Sequence, residues 1–167
     1  MSKQFWSFLL VGLAVVGVAV SLIWTGTKPN HLDIESKFLG VRAAPIGDGR
    51  EIVIVNFRMT NPSGVPLIIR EISMQVDLYG QPPLKGLEVS RSDVDTMFQL
   101  HPLLGGKDYD VLADGDTIAP GQTIYRMAEA SFEASESAMA SRQAVVLHIE
   151  DVDGAAFDIS EKPDSKK

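Results

Sequence analysis

Glu51 to Thr60 (EIVIVNFRMT) is the stretch on which the fold turns. Val53, Val55, Phe57 and Met59 recur there at every second residue, with Asn56 and Arg58 between them. Period-two spacing sends alternate side chains to opposite faces of an extended chain, so the segment predicts a strand with one face in a core. Thr60-Asn61-Pro62-Ser63-Gly64 follows and concentrates turn-forming residues. Pro66 then opens a second alternating run, Leu67 to Tyr79, in which Ile72, Met74, Val76 and Leu78 share one side.

Strand signals continue outward in both directions. Upstream, Leu32 to Ala43 carries Ile34 and Phe38 on one phase but Leu39 and Val41 on the other, which predicts a bulge near Phe38 or Gly40. Downstream, Ala119-Pro120-Gly121-Gln122 makes a turn into a strand from Thr123 to Phe132. Ala144 to Glu150 and Ala155 to Ser160 flank Asp151-Val152-Asp153-Gly154 as a hairpin, and Ser135 to Gln143 reads as a short helical turn. Leu84 to Asp116 reads only as fragments of strand around the glycine pair 105 and 106. Some six or seven strands separated by Gly, Pro, Asn and Asp turns predict an all-β fold, an antiparallel immunoglobulin-like β-sandwich. The chain has no cysteine and no tryptophan beyond Trp24, so a disulfide-and-Trp core of the antibody type is excluded.

One transmembrane α-helix is expected before the sandwich. No charge occurs from Gln4 to Thr27, and Phe5 to Trp24 is apolar except for Ser7 and Ser21. Twenty helical residues rise about 30 Å, the thickness of a bilayer's hydrocarbon. Trp6 and Trp24 stand at the two ends, roughly 27 Å apart along a helix, where interfacial aromatic side chains gather. A cleaved signal peptide would have a shorter apolar stretch and a small-x-small exit, whereas Leu22, Ile23 and Trp24 are bulky. Gly17 and Ser21 fall four apart on one face, either a helix-packing face or a consequence of an Ala/Gly/Val-rich span. The organisation read from this is a cytoplasmic tail (1–4), an anchor (5–24), a linker (25–31), a sandwich (32–160) and a disordered tail (161–167). Lys3 and the amino terminus face Lys28 across the span, which favours a single-pass, N-in arrangement with an extracytoplasmic domain. That domain would be periplasmic in a Gram-negative host.

The run IVIVNFRMTNPSGVPLIIREISMQVDLYG, residues 52–80, resembles the early strands of late embryogenesis abundant type 2 domains, the water stress and hypersensitive response domain. The shared pattern is an alternating strand (Val53 to Met59), an Asn-Pro turn (Asn61-Pro62) and a second strand ending near a glycine (Ile68 to Gly80). IAPGQTIYRM, residues 118–127, is similar to the Pro-Gly turn and strand of bacterial membrane-anchored immunoglobulin-like domains. Both resemblances imply a sandwich, and neither brings a catalytic residue with it.

Charge and motifs narrow the chemistry. The chain has a net charge of −7 and pI of about 4.9, which argues against nucleic acid, since phosphate binding needs clustered Lys and Arg. GxSxG, phosphate-loop, HExxH and dinucleotide motifs are all missing. His31, His101 and His148 are widely separated, and His148 takes a polar position in its strand. Four Asp-x-Asp pairs occur, at 93/95, 108/110, 114/116 and 151/153. Asp108, Asp110, Asp114 and Asp116 lie close enough in KDYDVLADGDT to suggest a calcium site, although the loop does not fit an EF-hand and Asp is common in solvated turns. The expectation is a non-catalytic, membrane-anchored binding or structural module without a cofactor, in contact with lipid and an integral membrane partner, as an accessory subunit of a membrane complex would be. The alternative is a calcium-dependent extracytoplasmic adhesion or sensing domain.

Overall fold

In the computed structural model, residues 16–17, 34–47 and 49–161 are described. The chain divides into two units, Met1–His31 and Leu32–Lys167. In the first, Val16 and Gly17 are helical. The rest of the expected anchor, including Trp6, Trp24 and Ser21, lies outside the described residues, as do the linker and residues 162–167. No described helix is long and apolar enough to cross a membrane.

The second unit begins with a long hairpin. Strand β1 (Glu35–Gly47) pairs antiparallel with β2 (Arg50–Thr60). Gly47 and Gly49 bracket the turn with φ of 98° and 71°, a backbone that residues with a Cβ resist. The register shifts between Phe38 and Gly40, as the phase change predicted, and again between Pro45 and Gly47. Next come β3 (Leu67–Asp77), the two-residue strands β4 (Leu84–Lys85) and β5 (Leu87–Glu88), and helix α1 (Arg91–Leu100). A 3₁₀ turn (Pro102–Leu104) precedes β6 (Thr117–Ile118), β7 (Thr123–Phe132), the one-turn helix α2 (Glu136–Ala140), β8 (Ala144–Asp151) and β9 (Ala156–Glu161). Glu161 therefore ends a paired strand, opposite Val145, rather than opening a disordered tail.

Two antiparallel sheets form a β-sandwich. One has the order β1-β2-β7-β5, and the other β4-β3-β8-β9 with β6 on the start of β3. Val53, Val55, Phe57 and Met59 of the first sheet meet Ile72, Met74, Val76, Leu147 and Ile149 of the second, as the alternation predicted. Burial of these side chains is the main force closing the two layers. A further register shift between Ile69 and Glu71 explains why Leu67 and Ile69 share the core with the even-numbered Ile72 and Met74.

A second apolar cluster lies on the other face of the first sheet. Ala44, Ile52, Ile54 and Met127 are covered there by Val94, Leu104 and Val111, with Met97 and Phe98 packed at the margin. Strand β2 is thus buried on both faces from Glu51 to Phe57. The stretch that reads as fragments in the sequence is a cap: α1, the 3₁₀ turn and the loop to Val111.

Candidate functional site

The cap is fastened to the sheet by polar side chains. Arg42 on β1 donates from Nη1 to the carbonyls of Leu104 (2.9 Å) and Gly106 (3.0 Å), and its Nη2 lies 3.0 Å from Asp108 Oδ2. Asn56 on β2 donates from Nδ2 to the same Asp108 oxygen at 2.7 Å. Lys107 Nζ reaches Asp95 of α1 at 2.8 Å. Arg91 at the start of α1 donates to the Val111 carbonyl (2.6 Å) and to Asp116 Oδ2 (2.9 Å).

These contacts assign the loop aspartates separate positions. Asp108 holds the loop against Arg42 and Asn56, whereas Asp116 accepts from Arg91 and from the Ala113 N–H at 3.1 Å. The main chain of Asp110 accepts from the Met127 N–H at 3.0 Å, and Asp114 precedes Gly115, whose φ is 82°. Among the described residues, no three His, Asp or Glu side chains gather so as to hold a metal ion. The calcium cage suggested by the spacing is therefore not assembled from Asp108, Asp110, Asp114 and Asp116. Two of the carboxylates are taken up separately, Asp108 by Arg42 and Asn56 and Asp116 by Arg91 and the Ala113 N–H.

Other polar positions are occupied structurally. Asn61 is fully buried; its Nδ2 donates to the carbonyls of Val65 (2.8 Å) and Ile118 (3.0 Å), and its Oδ1 accepts from the N–H and hydroxyl of Ser63. Asp151, also buried, accepts from the N–H groups of Ile68 and Val152 and fixes the β8–β9 turn. His148 sits opposite Asp158 across that hairpin, 2.6 Å away, as its polar strand position implied.

Glu129 breaks this pattern. It is only 4% exposed, and neither carboxyl oxygen has a hydrogen-bond partner. Burial, with Glu88 and Asp95 nearby, pushes its pKa up to about 7 against the opposing pull of Lys107. In sequence it falls on the mostly polar phase of β7 with Tyr125 and Ser131, where Met127 is the one apolar residue that signals a covered position. Arg42, Asn56, Arg91 and Lys107 were unmarked.

A cleft of about 230 Å³ opens where the chain crosses from β4 in one sheet to β5 in the other. Ile72, Met74, Ala128 and Leu147 line it together with Glu71 and Glu88. Burial, Asp114 and Glu71 raise the pKa of Glu88. Glu129 borders the same cleft, and three carboxyl groups around it favour a cation over an anion.

No family model and no curated protein matches the chain. Among solved structures it is similar to an uncharacterized β-sandwich protein from Clostridium difficile 630, with 10% identity and a TM-score of 0.41, over 77% of this chain and 85% of that one. It is also similar to Northeast Structural Genomics Consortium target SoR45, with 10% identity and a TM-score of 0.33, over 78% and 80%.

Proposed function

We propose that the chain is a non-catalytic binding or structural module of immunoglobulin-like type, held at a membrane by one N-terminal helix and acting as an accessory subunit beside an integral membrane partner. The observation that carries this reading is the juxtaposition, within one short chain, of the uncharged run from Gln4 to Thr27 and a sandwich starting at Glu35. So short a connection keeps the sandwich near the bilayer, within reach of a membrane protein and of little that diffuses far from it. The strand order supports the immunoglobulin-like type: β1-β2-β7-β5 and β3-β8-β9 correspond to A-B-E-D and C-F-G of a constant-type domain. The polar side chains hold main chain of turns and loops in place, as Arg42, Asn61, Asp116 and Asp151 do, which suits a rigid scaffold.

The test is purification of the 167-residue chain from its native membrane in mild detergent at several salt concentrations, after crosslinking at the anchor and at the sandwich. An integral membrane protein recovered at both positions supports the subunit reading. A monomer with no crosslinked partner at any salt concentration overturns it. For topology, protease added to spheroplasts should remove the sandwich from an N-in protein, while protection until lysis reverses the orientation.

A further inference from the structure

We propose that Glu129 is a protonation latch for the cap formed by residues 89–111: the neutral carboxyl stays sealed beneath the cap, and the ionised carboxylate drives the cap off the sheet. The placement follows from register. Arg42, Ile54 and Glu129 form one cross-strand row over β1, β2 and β7. Ile54 belongs to the cluster under the cap, so its neighbours in the row share that outward face. Glu129 is thereby shut between an apolar floor and the cap, and both its oxygens lack partners.

Asp151 shows how this fold stabilises a buried carboxylate, with two main-chain N–H donors. Glu129 has no such donors, so its charged form stays uncompensated as long as the cap is closed. Opening the cap lets water solvate it, and the proton passes to bulk water. The charged groups facing it are Glu88 at β5, Asp95 on α1 and Lys107 in the loop, with Arg42 on β1 beyond Ile54. Two of these repel the carboxylate, and Lys107 is held by Asp95. The cap's own fastenings add to the weakness: Arg42 Nε and Asn56 Oδ1 are buried without partners beneath the same loop.

Amide hydrogen exchange on the 167-residue chain in detergent, at pH 5, 6, 7 and 8 and corrected for intrinsic rates, tests the latch. Opening of α1 should become about tenfold more frequent per pH unit from the ordinary carboxyl range up to about pH 7, and level off above it. Amides of β2, β7 and β8 should hold their protection. Glu129→Gln, isosteric and uncharged, should flatten the dependence, and Lys107→Met should move its upper end to higher pH. Exchange of α1 that does not vary with pH, or that varies equally in Glu129→Gln, overturns the proposal. Should Glu129→Gln not fold, carbon-13 titration of the native Glu129 carboxyl decides the matter: a midpoint shared with the cap amides supports the latch, and separate midpoints overturn it.

Discussion

Asn61 and Glu129 are both buried polar residues, and their surroundings dictate opposite behaviour. Asn61 has both of its side-chain polar atoms paired, with Val65 and Ser63 inside the β2–β3 loop and with the Ile118 carbonyl of β6, the one bond that ties this loop side chain to β6. Asn61→Ala removes the side-chain donor to the buried Ile118 carbonyl and one of two donors to the Val65 carbonyl, and should cost about 2–4 kcal/mol in urea unfolding, against about 1 kcal/mol for Ser63→Ala. The Asn-Pro pair made this turn legible, because few residues bond locally to the main chain as Asn does. Glu129 was not legible, because alternation assigns a face but does not reveal what covers it. Its linkage to stability has a definite sign. The folded pKa of about 7 exceeds the ordinary 4.5, so the native state keeps a proton that the unfolded chain has already released. The contribution of Glu129 to stability is therefore greatest below about pH 4.5, falls as pH rises toward about 7, and changes no further above it, a span of about 3 kcal/mol. Opening of the cap would limit that loss to the free energy of opening. The difference in urea midpoint between the native chain and Glu129→Gln, followed from pH 4.5 to 8, isolates this contribution.

At the scale of elements, strands were easier to read than the cap, and the reason lies in what each pattern depends on. The hairpins rest on local alternation and turn residues, and β7 spans Thr123–Phe132 as the sequence predicts. The second covered face had a signal that alternation obscures: Ile52 and Ile54 are apolar too, so the run is nearly continuous, as in strands covered on both sides. Helix α1 had one as well, since Val94, Met97 and Phe98 follow the i, i+3, i+4 spacing of a helix that lays one side on a surface. Its four turn-favouring residues Ser90, Ser92, Asp93 and Asp95 outweighed that spacing. Core packing sets the expected cost of change. Phe57 is fully buried between the sheets, and Phe57→Ala should lower global stability by about 3–5 kcal/mol. The crossover between sheets is just as intolerant for a different reason. A Cβ at Gly86 would stand 2.6 Å from Ala130 Cβ and 2.7 Å from the Phe132 ring. Gly86→Ala should cost about 1–3 kcal/mol or more through overpacking. Gly40→Ala meets open space within its strand and should be neutral or slightly stabilising, which makes it the control in the same thermal-melt series.

For the whole molecule, composition divides the chain into an apolar part and an acidic part. Setting Lys3 aside leaves 14 Lys and Arg against 22 Asp and Glu after residue 27, a net of −8 for everything beyond the apolar run. Acidic residues contribute little to membrane orientation, so such a domain is free to cross during insertion. Both tryptophans precede it, and this gives the two parts separate optical signatures. The sandwich carries Tyr109 stacked on Tyr125, with ring centroids 5.8 Å apart, and should emit as tyrosine alone when isolated from residue 30 onward. In lipid vesicles, the 167-residue chain should add tryptophan emission shifted to the blue, because Trp6 and Trp24 would lie at the two headgroup levels of one span. Brominated lipids make the depth measurable. Bromines near the headgroups should quench both rings strongly, and bromines at the bilayer centre should quench them weakly. Trp6→Phe and Trp24→Phe should each remove part of the signal without shifting the remainder. Emission at the wavelength of a water-exposed indole, or equal quenching at every depth, would count against a spanning helix. A mature protein that begins near Lys28 would have lost both tryptophans with a cleaved leader, and its spectrum would match that of the sandwich alone.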